Sequence, residues 1–140
     1  MPKIAGIDHV AITVTDLAAS CAFYDALFGT EVVAEHVVNG RVLVRQLAIG
    51  GAVVSVHQAG NGVDLVAVRP TVGAADICLR WTGTVCDLVG LLDAKNVDIL
   101  EGPVPRMTAD RRPGQSVFFR DVDGNLLEVM AADQDASTCA

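Results

Sequence analysis

The chain has few aromatic residues, few basic ones and no long apolar run. Aromatics are 4% of its 140 residues while hydrophobic residues reach 51%, so any core is built from aliphatic side chains. Ten Lys and Arg stand against 17 Asp and Glu, a formal charge of −7. That balance argues against a general nucleic-acid or anionic-membrane surface, though a local pocket for an anionic ligand stays open. No apolar run approaches the roughly 18 residues of a membrane span. The N-terminal segment meets Asp8 and His9 before any signal-like apolar stretch forms. The four cysteines, Cys21, Cys78, Cys86 and Cys139, include no C-x-x-C pair and no regular spacing. A chain of this length buries about two-thirds of its unfolded surface. A disulfide framework is therefore not expected, and a reducing cytoplasm fits best; Cys21 and Cys86 read as small core hydrophobes.

The stretch that is most informative runs from Ile7 to Asp16, I-D-H-V-A-I-T-V-T-D. It alternates as a strand does, with Ile7, His9, Ala11 and Thr13 on one face and Val10, Ile12 and Val14 on the other. Thr15-Asp16 suits a helix start, residues 17–28 carry an apolar helical stripe, and Gly29 suits its end. Tyr24 belongs to that stripe. Strands follow at Glu31–Val38, Val42–Ile49 and Ala52–His57, turned at Asn39-Gly40 and Gly50-Gly51. Residues 59–73 read as a linker. A second series then runs through a strand at Ala75–Trp81, a helix over 85–95 and a strand at Val97–Leu100. A long loop, Glu101–Gly114, comes next, then strands Gln115–Arg120 and Asn125–Met130 around Asp123-Gly124. Residues 133–140 read as a polar tail.

Both series have the order β-α-β-β-β, a weak internal repeat. The expected class is α+β, with paired βαβββ modules forming an open cup-shaped mixed sheet and helices outside. The domain expectation is one domain over 1–132, with module one at about 4–58 and module two at about 74–132. Overlaying the halves sets His9 opposite Asp76 and His57 opposite Glu128. In each strand the possible ligand faces away from mainly aliphatic positions. A carboxylate such as Glu128 between Leu127 and Val129 needs a cation or donors. His9, His57 and Glu128, with Asp76 as a fourth ligand or a base beside them, make a site for one divalent metal ion (Fe, Zn, Ni, Mn or Co).

The motifs I-D-H-V-A-I-T-V-T-D-L, F-Y-D-A-L-F-G and F-R-D-V-D-G-N-L-L-E-V-M together resemble the vicinal oxygen chelate superfamily, over roughly Ile4 to Ala132. Val56-His57-Gln58 and Asp76-Ile77-Cys78 are similar to its small glyoxalase-like subgroup. The resemblance places the superfamily's metal positions on His9, His57, Asp76 and Glu128. Two of these depart from glyoxalase I, which usually has Glu where His57 stands and His where Asp76 stands. Val122 also replaces the usual proline of D-P-D-G. The resemblance implies a homodimer and a small substrate that chelates the metal through neighbouring oxygens, with no nucleic acid and no membrane. Glu128 and Asp76 are the candidate catalytic residues, and Arg80, Arg106 and Arg120 the candidates for holding an anionic substrate. Three activities stay open: a glyoxalase-like lyase or isomerase, an Fe(II) extradiol-type dioxygenase, and a metal-free protein that sequesters an antibiotic.

Overall fold

The computed structural model describes residues 2–133 and Cys139. The protein is α+β, with two helices and two open four-stranded mixed sheets. The chain divides into two compact units, Met1–Gly73 and Ala74–Ala140. No helix among the described residues is long and apolar enough to cross a membrane.

The first unit holds β1 (Val10–Val14), α1 (Leu17–Phe28), β2 (Glu31–Val38), β3 (Arg41–Ile49) and β4 (Ala52–Gln58). Its sheet order is β1-β4-β3-β2, with β1 parallel to β4 and the other pairs antiparallel. The helix starts where the Asp16 carboxylate accepts the Ala19 N–H at 3.1 Å. It stops at Gly29, whose φ of 61° is left-handed and whose N–H reaches Asp25 O at 2.9 Å. Leu17, Cys21, Tyr24 and Leu27 of α1 are buried, as are Ile12, Val14, Leu43, Leu47 and Val56 on the sheet. The sheet's other face carries Ala11, Thr13, Gln46, Ser55 and His57, since those residues have the opposite strand parity.

The second unit holds β5 (Asp76–Trp81), α2 (Val85–Ala94), β6 (Glu101–Met107), β7 (Pro113–Arg120) and β8 (Leu126–Ala132), in sheet order β5-β8-β7-β6. Thr84 caps α2 by accepting the Asp87 N–H at 3.1 Å. Val85, Leu88 and Leu92 are fully buried, as are Val117, Phe119 and Leu127, with Val129 nearly so. Asp121 folds the turn before β8. Its Oδ1 accepts the N–H groups of Asp123 and Asn125, each at 2.9 Å, and its Oδ2 accepts Asn125 Nδ2 at 2.8 Å. Asn125 Oδ1 in turn accepts the Ala75 N–H at 2.9 Å, which fixes the chain next to Asp76. Val122 takes the proline position of this turn without loss of these bonds.

Three elements differ from the sequence expectation. The strand expected at Val97–Leu100 lies instead at Glu101–Met107, inside the expected loop. Pro103 and Pro105 argue against a strand in general, but β6 is an edge, where a residue without an N–H costs little. A register shift between Glu101 and Val104 takes up the irregularity, and Gly102 (φ 113°) passes so close to Ser116 O that a Cβ would lie 2.4 Å from it. Secondly, β1 begins at Val10, so His9 stands just ahead of the strand. Thirdly, Cys86 and Cys139 form a disulfide across 53 residues, with Cα atoms 5.1 Å apart. The expectation of unbonded cysteines is corrected there, because a pairing over that separation leaves no local pattern. Cys21 and Cys78 are free thiols. The expected polar tail lies mostly outside the described residues.

Candidate functional site

In the first unit, His9 Nδ1 is 2.7 Å from Asp8 Oδ1. A carboxylate on Nδ1 fixes the imidazole with its proton there and leaves the Nε2 lone pair outward, the arrangement a metal-binding histidine needs. His57 is different. Its Nδ1 is buried with no hydrogen-bond partner among the described residues. Burial, and secondarily the charge of His9, hold its pKa below the ordinary 6.5, so the ring is neutral at pH 7. The unfolded chain binds that proton more readily, so the fold loses this contribution as pH falls through 6.5.

In the second unit, Glu128 is the centre of a rung. Its register partners are Cys78 on β5 and Phe118 on β7. The fully buried Ser116 hydroxyl donates to Glu128 Oε2 at 2.7 Å. That bond orients the carboxylate and leaves Oε1 for another partner. The Cys78 thiol faces Glu128 across the rung; desolvation first, then the Glu128 charge, push its pKa up to about 11, so it is uncharged at pH 7. Asp76, exposed at the start of β5, lies two residues before Cys78 and accepts no hydrogen bond among the described residues.

The arginines differ in freedom. Arg106 stacks 5.3 Å above the Phe118 ring, next to the Glu128 rung, and bonds the Pro105 carbonyl at 2.8 Å. Arg80 pairs with Asp110 at 3.4 Å, while Arg120 bonds the Gly124 carbonyl at 3.2 Å. Within either unit, no three His, Cys, Asp or Glu side chains come together as a metal-binding group among the described residues.

Register refines the repeat. Ala11 pairs with Ser55, and Cys78 pairs with Glu128. His9 precedes Ala11 by two residues, as Asp76 precedes Cys78. Ser55 therefore occupies the first-unit position that matches Glu128. His57 pairs with Thr13, one same-face step beyond. Spacing alone could not separate these two positions, because both have the same strand parity. Sequence reasoning also missed Ser116 and Cys78, although both share the face of Glu128 and could be found by extending the parity argument to their strands.

Ser116→Ala is expected to weaken divalent-metal binding about tenfold while leaving the fold's cooperative melt intact, because the carboxylate loses its orienting donor. Titration against a chromophoric chelator checks this, and unchanged affinity would remove the orienting role.

The fold and this face define a class. The chain matches the Glyoxalase/Bleomycin resistance protein/Dioxygenase superfamily over residues 6–129, and it belongs to that family. It is 32% identical to Virulence protein STM3117 of Salmonella typhimurium over 123 residues, 88% of this chain and 81% of the relative. An integron cassette protein from the mobile metagenome of V. cholerae is 33% identical, with a TM-score of 0.82 covering 94% of this chain and 98% of that one. Fosfomycin resistance protein FosX of Listeria monocytogenes, solved with Mn(II) and a dihydroxypropylphosphonic acid, shares the fold at 21% identity. Its TM-score is 0.62, over 90% of this chain and 89% of FosX.

Proposed function

We propose that the chain is a metal-dependent enzyme of glyoxalase type, a lyase or isomerase, acting on a small substrate with neighbouring oxygen donors. The observation that carries this reading is the preparation of individual donors. His9 presents Nε2 because Asp8 holds Nδ1, and Glu128 presents Oε1 because Ser116 holds Oε2. Both are what a divalent ion requires, so the residues present fit the group. His9, Asp76 and Glu128 would hold the ion. One imidazole and two carboxylates suit Mn, Ni, Co or Zn; this proposal leaves His57, the register partner of Thr13, outside the ligand set.

A bound ion would supply Lewis-acid stabilisation of an oxyanion or enolate. The chain's residues do the rest. In the alternative role Asp76, which accepts no hydrogen bond among the described residues, would stand beside the ion and accept a proton from the substrate. Arg106, held over Phe118 beside the Glu128 rung, offers positive charge to an anionic substrate group. Cys78, neutral, keeps a second negative charge away from Glu128.

A homodimer and residence in the cytoplasm are part of the same proposal; at a cytoplasmic redox poise the Cys86–Cys139 bond is expected to be open. The test is elemental analysis and calorimetric titration with Mn(II), Ni(II) and Zn(II), followed by anaerobic Fe(II) loading and oxygen uptake with catechols. Stoichiometric, tight binding of one of the first three ions supports the reading. A protein whose melting ignores all of them overturns it, and oxygen uptake with a catechol moves it to the dioxygenases. Sedimentation of the loaded protein as a single 14.6 kDa species would remove the dimer.

A further inference from the structure

The first unit contains a recess that the metal reading does not use. It is about 140 Å³ in volume and is lined by Thr13, His57 and Gln58 with Asn61, Val63, Val66 and Pro70 of the segment that follows. Thr13 and His57 are direct register partners on neighbouring strands, so their side chains stand side by side, about 4.8 Å apart at the backbone. Among the described residues neither the Thr13 hydroxyl nor the His57 ring makes a hydrogen bond. His57 Nδ1 is closed off, so the edge that can serve a ligand is the one carrying Nε2. An inaccessible, unpartnered ring nitrogen is less costly as a bare lone pair than as an N–H. Nε2 then carries the proton. The recess thus holds two adjacent donors, a hydroxyl and an imidazole N–H.

Its walls are built. Asn61 Nδ2 donates to Leu43 O at 3.1 Å, and Asn61 Oδ1 accepts the Val63 N–H at 3.0 Å. The Gln58 amide is spent on Leu17 N at 2.9 Å and Thr15 O at 2.5 Å. Ala59 N donates to Val14 O at 2.8 Å. These bonds pin the start of the segment, whose apolar Val63, Val66 and Pro70 face the recess; Leu65 and Val68 are almost fully exposed. No charged side chain lines it.

We propose that this recess binds a compact, uncharged carbonyl compound, whose oxygen accepts from both Thr13 and His57 and whose ring or branched carbon skeleton fills the Val63–Val66–Pro70 wall. The volume sets the size, since an apolar cavity of about 150 Å³ accommodates a benzene-sized ring. The paired donors set the chemistry, because one carbonyl oxygen has two lone pairs. The absence of a lining cation excludes carboxylates as preferred occupants. This inference does not depend on metal binding, which is measured by titration on the same preparation.

The probe is cyclohexanone, with methylenecyclohexane as its counterpart of nearly the same shape lacking the oxygen. Titration is followed by the amide NMR shifts of the purified full chain. The expected result is saturable shifts at Gly60, Gly62, Val63 and Val66, with methylenecyclohexane binding at least about fivefold more weakly. Thr13→Val, which keeps side-chain shape, and His57→Phe should each reduce cyclohexanone affinity by a similar factor. Equal affinity for the two probes, shifts confined to the second unit, or no saturable shift at all overturns the proposal. Should His57→Phe fail to fold, Thr13→Val alone decides the donor claim.

Discussion

Glu128→Ala is expected to weaken divalent-metal binding roughly a hundredfold or more, and activity with it. Losing a donor that only supports a ligand typically costs ten- to a hundredfold, and Glu128 is proposed as the ligand itself. Two effects are superimposed in this variant. The ion loses a charged oxygen, and the fully buried Ser116 hydroxyl loses its acceptor. Leaving a buried donor unsatisfied costs about 1–3 kcal/mol of stability. Glu128→Gln separates the two, because the amide oxygen still accepts from Ser116 while the negative charge is gone. If the ligand role is right, Glu128→Gln melts near wild type and still binds metal far more weakly. If Glu128→Gln binds metal within about threefold of wild type, Glu128 is a structural carboxylate and the proposed site is lost.

Phe119→Ala is expected to destabilise the second unit by about 3–5 kcal/mol. Phe119 is fully buried in β7 and heads the fully buried side chains by volume. Its strand neighbours on that face, Val117, Leu127 and Val129, are all aliphatic and nearly inaccessible. At 4% aromatics the sequence has few rings. The buried side chains around it are close-packed and relax only in part, so the cavity is expected to persist. A loss of that size is a large share of the 5–15 kcal/mol typical of a domain. Urea denaturation followed by circular dichroism checks it. A shift of less than about 1 kcal/mol would mean that the unit collapses to fill the space.

Much of the fold was legible because it is written in local signals. Asp16 and Gly29 bracket α1 as capping residues do, and Asn39-Gly40 turns β2 into β3 with both residues at positive φ. The alternation in β1, β4, β5 and β8 assigns each residue to a face, which is why Glu128, Asp76 and His9 stand out. What escaped local reading has a common physical origin. Strand register is fixed by pairing between distant segments, so parity marks His57 and Ser55 as equivalent while hydrogen bonding separates them. β6 was hidden by prolines that only an edge tolerates, and edge position is a property of the sheet. The Cys86–Cys139 bond joins residues with no shared pattern. Arg80, Arg106 and Arg120 were visible as candidates, but their engagement with Asp110, the Phe118 ring and the Gly124 carbonyl depends on folding.

The same prolines have a bearing on how the protein behaves at high concentration. β6 closes one side of its sheet with a strand that cannot offer a full row of donors. β2 closes the other sheet with eight exposed residues, E-V-V-A-E-H-V-V, and no proline. Its valines at 32, 33, 37 and 38 are each 42–52% exposed. Only Glu31, Ala34, Glu35 and His36 accompany them, and an exposed edge segment of this kind recruits further strands. β2 is therefore the edge from which fibrous aggregates would grow.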